Sequence, residues 1–498
     1  MGDGREPAPA APVEGPPRGT GTLRRRSAIA LPLLAGGALA AIPAITRLTA
    51  RPEPSLLSEG LAVGAGGLVR PLAPGTPIDY LPGTRVPSSA DPLALDDAAR
   101  AAAQTAFLRR ASGARLPQGR WQGLAADALV DLLALTSPTL AVEPAPATDA
   151  AVPSAEAEAF PVGAVVAGPV SAWRYVWPRD ASFAAVALDA VGLRAEALSV
   201  LRRLAALQLP DGGFEARYNA VGQVPDGRPR QEDGAGWFLW ALGRIIAGGR
   251  AVPAGGDDPL NPTDLDGLAD PASRAADRLM TLTSASSHLP PAGPDYWEVP
   301  EKRTTLGLAA PVLLGLEGAL ALADSLLADR VGPVAGAPTS GLPPAIASRE
   351  VLAQRVEETR AAIEFSFNPG WGRHVRDDDV DAAIALAGPP FTRALAGSAR
   401  VRAGARARMT RAAGGLAPGS GWRDDGVSWT PETALLAWSA AALGERAEAE
   451  ELMAWLESHR TAAGALAEKV LPDGRPAGPA PLAWTCALVL LGVCELAG

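Results

Sequence analysis

The sequence predicts an all-α fold, an (α/α)6 toroid of six inner and six outer helices behind an N-terminal leader expected to be disordered. Three observations lead there. Six stretches are apolar on every side, six others carry one apolar stripe and a charged back, and the two kinds alternate along the chain. A helix of the first kind is buried all round and one of the second faces a core on one side only, so alternation places one layer inside the other. A simple bundle would show amphipathic helices throughout. From 93 onward about 34 residues are available for each helix with its loop, an ordinary length for both.

Residues 1–22 are rich in Pro, Ala and Gly and lack periodicity. Leu23-Arg24-Arg25-Arg26-Ser27 then opens an uncharged run over 28–46, the pattern of an export signal with paired arginines before an apolar core. The expectation is an exported chain (periplasmic, cell-surface or extracellular), with 28–46 able to serve as a membrane tether where it is not cleaved. Residues 1–50 are thus read as leader, 51–92 as an irregular linker and 93–498 as one catalytic domain. Within that domain the apolar stretches are 181–191, 234–246, 306–322, 382–387, 433–443 and 482–496. The striped ones are 125–135, 194–208, 271–283, 349–363, 398–410 and 445–459, the last with Ala449, Leu452, Met453 and Leu456 at helical spacing.

Composition excludes several functions. With 45 Lys and Arg against 54 Asp and Glu the net charge is −9, and no basic run beyond residue 26 offers a face for nucleic acid. Cys486 and Cys494 lie eight apart on one predicted helix, about 12 Å, too far for a disulfide. Three scattered histidines and two cysteines provide no zinc cluster, so neither metal nor cofactor is expected. Half of the 24 aromatic residues are Trp, a bias suggesting a surface that stacks flat ligands. Nothing points to an oligomer, and the chain is expected to be a monomer.

If the inner helices run parallel, every loop leading into one lies at the same end, beside electropositive helix N-termini. Unusual residues gather in these loops: 171–180 (SAWRYVWPRD), 228–234 (RPRQEDG), 295–303 (DYWEVPEKR), 375–381, 421–429 and 464–469 (GALAEK). Tryptophans with carboxylates suit a sugar, because aromatic faces pack on pyranose C–H groups while acids bind and protonate oxygens. Glycosidic cleavage requires an acid for the leaving oxygen and a base for water. Glu298, flanked by Tyr296 and Trp297, has apolar neighbours that favour a protonated acid, and Glu468 adjoins Lys469, which favours an ionised base. Asp180 reads equally as the N-cap of a helix starting at Ala181.

Tyr175-Val176-Trp177-Pro178-Arg179-Asp180, then 231–234, Trp297-Glu298, Trp429 and Glu468 followed by Leu482-Ala483-Trp484 resemble, in order and spacing, glycoside hydrolase family 15, the glucoamylases and their bacterial relatives. The resemblance runs from about residue 163 to the C-terminus. It implies Glu298 as general acid and Glu468 as general base, with Trp177, Arg179, Asp180, Asp233, Trp297 and Trp429 binding an oligosaccharide or polysaccharide. It also implies inversion at the anomeric carbon and exo-action on α-linked glucosides of glucoamylase, trehalase or glucodextranase type. Departures are visible. Val299 stands where the family has a second acid, the next being Glu301; Gly415-Leu416-Ala417 replaces a Gly-Arg-Tyr stretch, so that one substrate arginine is either missing or supplied by Arg423; and Asp226-Gly227 replaces a tryptophan.

Two other readings remain open. The same toroid hosts terpene cyclases and prenyltransferases, echoed by 208–214 (QLPDGGF) and by the acidic run 375–381 (VRDDDVD). A catalytically inactive glycan-binding protein is the other. The hydrolase reading predicts a bell-shaped pH–rate profile indifferent to chelators.

Overall fold

The computed structural model describes residues 53–88, 93, 95–141, 157–250, 262–328 and 349–498. The chain divides after Glu53, and the architecture below belongs to the unit Pro54–Gly498. The residues read as a leader with an export signal, 1–50, lie outside the described residues.

The toroid is present. Its inner ring is α3 (Pro178–Ala190), α5 (Gly234–Arg250), α7 (Leu306–Ala328), the 3-10 helix Ala382–Ala387, α10 (Thr430–Ala442) and α12 (Ala483–Ala497). Each packs on the next, and α12 closes the ring against α3. Outside stand α2 (Gln122–Ala134), α4 (Arg194–Leu207), α6 (Ala269–Leu282), α8 (Arg349–Phe367), α9 (Ser398–Met409) and α11 (Arg446–Ser458), with α1 (Asp97–Ala111) as a further helix ahead of α2. The alternation read from the sequence matches this order because burial on all sides and burial on one side leave different residue patterns.

Phe183 is the hub of the core, fully buried, with ring centroids 4.8 Å from Trp240, 5.1 Å from Trp237, 5.8 Å from Trp484, 6.1 Å from Phe391 and 6.4 Å from Trp438. Part of the tryptophan excess is therefore core filling, which corrects the expectation of a stacking surface alone. Gly236 on α5 faces the Pro311 carbonyl and Gly315 of α7 so closely that a methyl group there would collide with backbone. That contact draws the two helices together. Helix α7 is long and apolar enough to cross a membrane by length and composition, and it lies buried in the ring.

Three sequence expectations change. Residues 51–92 were read as an irregular linker, yet β1 (Leu61–Val63) pairs antiparallel with β2 (Leu68–Pro71), and β2 continues in parallel to β3 (Thr139–Ala141) and then to β4 (Ala157–Ala159). Strands of three or four residues are too short to show alternation, and their pairing partner lies far along the chain. The fourth inner element is a single 3-10 segment of six residues rather than an α-helix. Helices α3 and α10 begin three residues before the expected Ala181 and Thr433, because Pro178 and Pro431 sit in their first turns, where proline is tolerated.

Candidate active site

Five of the six loops that enter inner helices line one cavity of about 240 Å³. It contains Trp177, Arg179, Asp180, Trp297, Glu298, Trp429 and Glu468, all expected as site residues, together with Tyr296, Lys469 and Trp484, noted from the sequence without a binding role, and Trp173, Arg217, Arg228 and Glu432, which were assigned none. Asp233 is not among the lining residues; it is buried and accepts the Trp237 indole N–H at 3.0 Å.

Glu298 sits in a built loop. Its N–H donates to the Asp295 carbonyl at 2.8 Å, and the Trp297 N–H donates to Asp295 Oδ1 at 2.9 Å. This tight turn leaves Glu298 with φ 55°, in the left-handed region that non-glycine residues rarely adopt and that is concentrated at functional positions. Arg373 secures the loop at both ends, reaching Asp295 Oδ1 at 2.7 Å and Glu301 at 2.8 Å, while its guanidinium covers the Trp297 ring at 3.7 Å. Burial alone would lower the Arg373 pKa, but Asp295 and Asp381 outweigh it and keep the charge. The apolar surroundings expected for Glu298 are not what its carboxylate meets. One oxygen accepts the Trp177 indole N–H at 2.8 Å and the other is paired with Arg228. Tyr296 turns away to donate to Asp381 and to the Pro418 carbonyl.

Glu468 is placed by a small sheet. β5 (Ser428–Trp429) pairs antiparallel with β6 (Lys469–Val470), setting Trp429 opposite Lys469, and β6 pairs with β7 (Pro476–Ala477). The Thr430 N–H donates to the Glu468 carbonyl at 3.0 Å, and the Glu468 N–H to that of Pro479 at 3.0 Å. The segment before β1 braces the same loop, with Gly478 N–H on the Ser55 carbonyl at 2.9 Å and Ser58 Oγ on that of Ala480 at 2.7 Å. At the carboxylate, Trp173 donates its indole N–H to Oε1 at 3.1 Å and Lys469 Nζ stands 2.7 Å from Oε2. The lysine side chain thus turns toward its neighbour in sequence.

Arg179 and Asp180 form the deep wall, paired at 3.0 Å, with the guanidinium 4.5 Å above the Trp484 ring. Trp177, not Asp180, is the N-cap residue of α3, so Asp180 belongs to the first turn. Burial raises the Asp180 pKa against the pull of Arg179, and pushes Asp233 up to about 6, again opposed by Arg179. Among the described residues, Arg179 Nε and Nη1, the indole nitrogens of Trp297, Trp429 and Trp484, and Glu432 Oε2 are buried without a hydrogen-bond partner. Such atoms are rare in native interiors and ask for a ligand or water to satisfy them.

The acidic run 375–381 stays outside the cavity: Asp377 pairs with Arg303 at 3.2 Å, and Asp381 with Arg373 at 3.1 Å. Gln208 spends its amide on the Gly212 and Pro271 carbonyls. Arg423 lies over Trp422 and is not a lining residue, so it does not take the place of the arginine absent at Leu416. Glu301, the next acid in sequence after Glu298, is taken by Arg373 and His374.

Comparison with solved structures identifies the fold as that of glycosidases. One glycosidase superposes with TM-score 0.51 at 20% identity, covering 67% of this chain and 91% of that chain. A glycosidase variant in complex with glucose superposes with TM-score 0.52 at the same identity and coverage. A glucoamylase from Saccharomycopsis fibuligera aligns with TM-score 0.49 at 13% identity, covering 67% of this chain and 89% of that chain. No protein-family model matches the sequence, and no curated protein matches it.

Proposed function

We propose that this chain is an inverting, exo-acting glycoside hydrolase of α-linked glucosides, related to glycoside hydrolase family 15. The observation that carries the reading is the wall shared by Glu298 and Glu468, which stand 170 residues apart in sequence and yet line one cavity with buried, unsatisfied indole and guanidinium nitrogens around them. Those donors match the many hydroxyls of a sugar, and the tryptophan rings match its C–H faces. A cavity of about 240 Å³ is smaller than the roughly 300–1,000 Å³ of drug-sized sites, which suits one terminal residue more than the middle of a chain.

In this mechanism Glu298, having taken up a proton from solvent, protonates the leaving oxygen. Arg228, the more exposed partner, withdraws as the leaving group arrives, while Trp177 keeps the carboxyl oriented. Glu468, held by Trp173 and Lys469, removes a proton from the water that attacks the opposite face of the sugar. Arg179 and Asp180 grip hydroxyls of the terminal glucose. The terpene cyclase reading loses its support, because the acidic run it requires is engaged away from the cavity. The leader over 24–46 carries the further proposal of export of a monomer, with 28–46 as a tether where uncleaved; fractionation of cells expressing the full chain tests it.

The deciding experiment follows by proton NMR the anomer first released from maltooligosaccharides, isomaltose and trehalose. β-Glucose is expected from one of them, with turnover lost in Glu298→Gln and binding kept. Initial α-glucose alone excludes inversion (from trehalose an inverting enzyme releases equal α and β, since the leaving glucose keeps its configuration), and sugar binding without turnover in the wild type establishes the inactive binder.

A further inference from the structure

We infer that Glu432 is a second hydroxyl-binding acid of this cavity, the counterpart of Asp180, taking a hydroxyl of the terminal sugar with its unpartnered Oε2. The inference rests on the sugar-cleaving reading above and names a specificity determinant within it.

Two inner helices open in the same way. In α3 an extended N-cap tryptophan, Trp177 with ψ 134°, is followed by Pro178 in the first turn and an acid three residues on, Asp180. In α10 the N-cap is Trp429 with ψ 125°, Pro431 lies in the first turn, and the acid three residues on is Glu432. Both acids line the cavity and both are at most 3% exposed. They differ in company. Neither Asp180 Oδ2 nor Glu432 Oε2 has a hydrogen-bond partner among the described residues, but Asp180 Oδ2 is ion-paired with the Arg179 guanidinium at 3.0 Å, and Glu432 Oε2 has no such cation.

An acid in the first turn of a helix ordinarily serves the local backbone from an exposed position. Taking one out of water and leaving an oxygen unbonded has a steep cost unless something in the functional state bonds to it. Glu432 is also held firmly. Thr430, two residues before it, donates its N–H to the Glu468 carbonyl and its hydroxyl to the Ala467 carbonyl at 2.6 Å, tying the helix start to the loop of the proposed base. Burial pushes the Glu432 carboxyl up to about 8, with the Glu468 charge adding to the effect and Arg179 opposing it. At neutral pH the group therefore carries a proton, and a carboxylic acid of this kind can both donate to and accept from one sugar hydroxyl. Asp180 with Arg179 offers an ion pair to the sugar; Glu432 offers a neutral partner of mixed character.

Calorimetric titration with glucose tests this in the full chain. Glu432→Leu, close in shape and apolar, is expected to bind glucose about 5- to 150-fold more weakly, the range for a hydroxyl left without its buried partner, and Glu432→Gln to stay within about threefold. Wild-type affinity in a folded Glu432→Leu overturns the inference and leaves the hydrolase reading standing, whereas a wild type that binds no sugar overturns both. If Glu432→Leu does not fold, the series of monodeoxyglucoses decides with Glu432→Gln: removing one particular hydroxyl is expected to cost wild type and variant different factors, and an identical pattern across the series overturns the inference.

Discussion

Trp177 donates its indole N–H to Glu298 at 2.8 Å across 121 residues of sequence, and Trp173, four residues earlier on the same loop, donates to Glu468 at 3.1 Å. One short loop thus orients both proposed catalytic carboxyls. The Trp177 indole cannot reorient freely, since it is nearly fully buried and packs near Tyr175 and the Arg217 guanidinium.

Trp177→Phe and Trp173→Phe keep the ring and remove the donor. Hydrogen bonds to charged groups are worth about 1.5–3 kcal/mol, so each change is expected to lower kcat by about 10- to 150-fold with a smaller effect on KM. Steady-state kinetics on maltotriose, with melting curves as the folding control, check this; unchanged kcat in both variants would show that the indoles do not orient the acids.

Gly478 is required beside the base. Its φ is +79°, and a methyl group there would stand 2.9 Å from Glu468 Oε2. Gly478→Ala is expected to displace the Glu468 carboxylate, lowering kcat at least tenfold, and to cost about 1–2 kcal/mol of stability. A crystal structure of the variant with Glu468 unmoved, or full activity, would contradict this.

Arg373 serves position and stability together. Deleting it leaves Asp295 and Asp381, both fully buried, without their cation, a loss of about 3–5 kcal/mol by analogy with broken buried pairs. Because Asp295 shapes the turn of Glu298, Arg373→Met is expected to reduce kcat more than glucose affinity. Chemical denaturation gives the first quantity, and kinetics with titration the second.

The buried acids set a pH dependence of stability. Asp233, raised from 3.8 to about 6, and Glu432, raised from 4.5 to about 8, bind protons more tightly folded than unfolded. Their contribution is therefore fully present below about pH 4 and is lost as pH rises through 6 and then 8. Carboxyls held low by arginines, such as Asp211 at about 2, act in the opposite sense and only under acid conditions. Melting temperature is expected to fall between about pH 4 and 8, with the part of that fall above pH 6 absent in Glu432→Gln. A flat profile in the wild type over this range would refute the assignment.

The amino-acid pattern alone determined the alternation of twelve helical segments and the loops where the chemistry gathers, because burial on all sides and burial on one side write different periods into a chain. It also singled out Glu298 and Glu468, whose neighbours Trp297 and Lys469 are visible in line. It missed what depends on approach through space. Glu432 falls just ahead of the helix expected from 433 and enters its first turn only because the helix begins at Thr430, and Arg373 meets Asp295, Glu301 and Trp297 only through space. The short strands at 61–71 and the sheet behind Glu468 were hidden for the same reason: a pairing of two or three residues has no period of its own and exists only when a distant segment is folded against it.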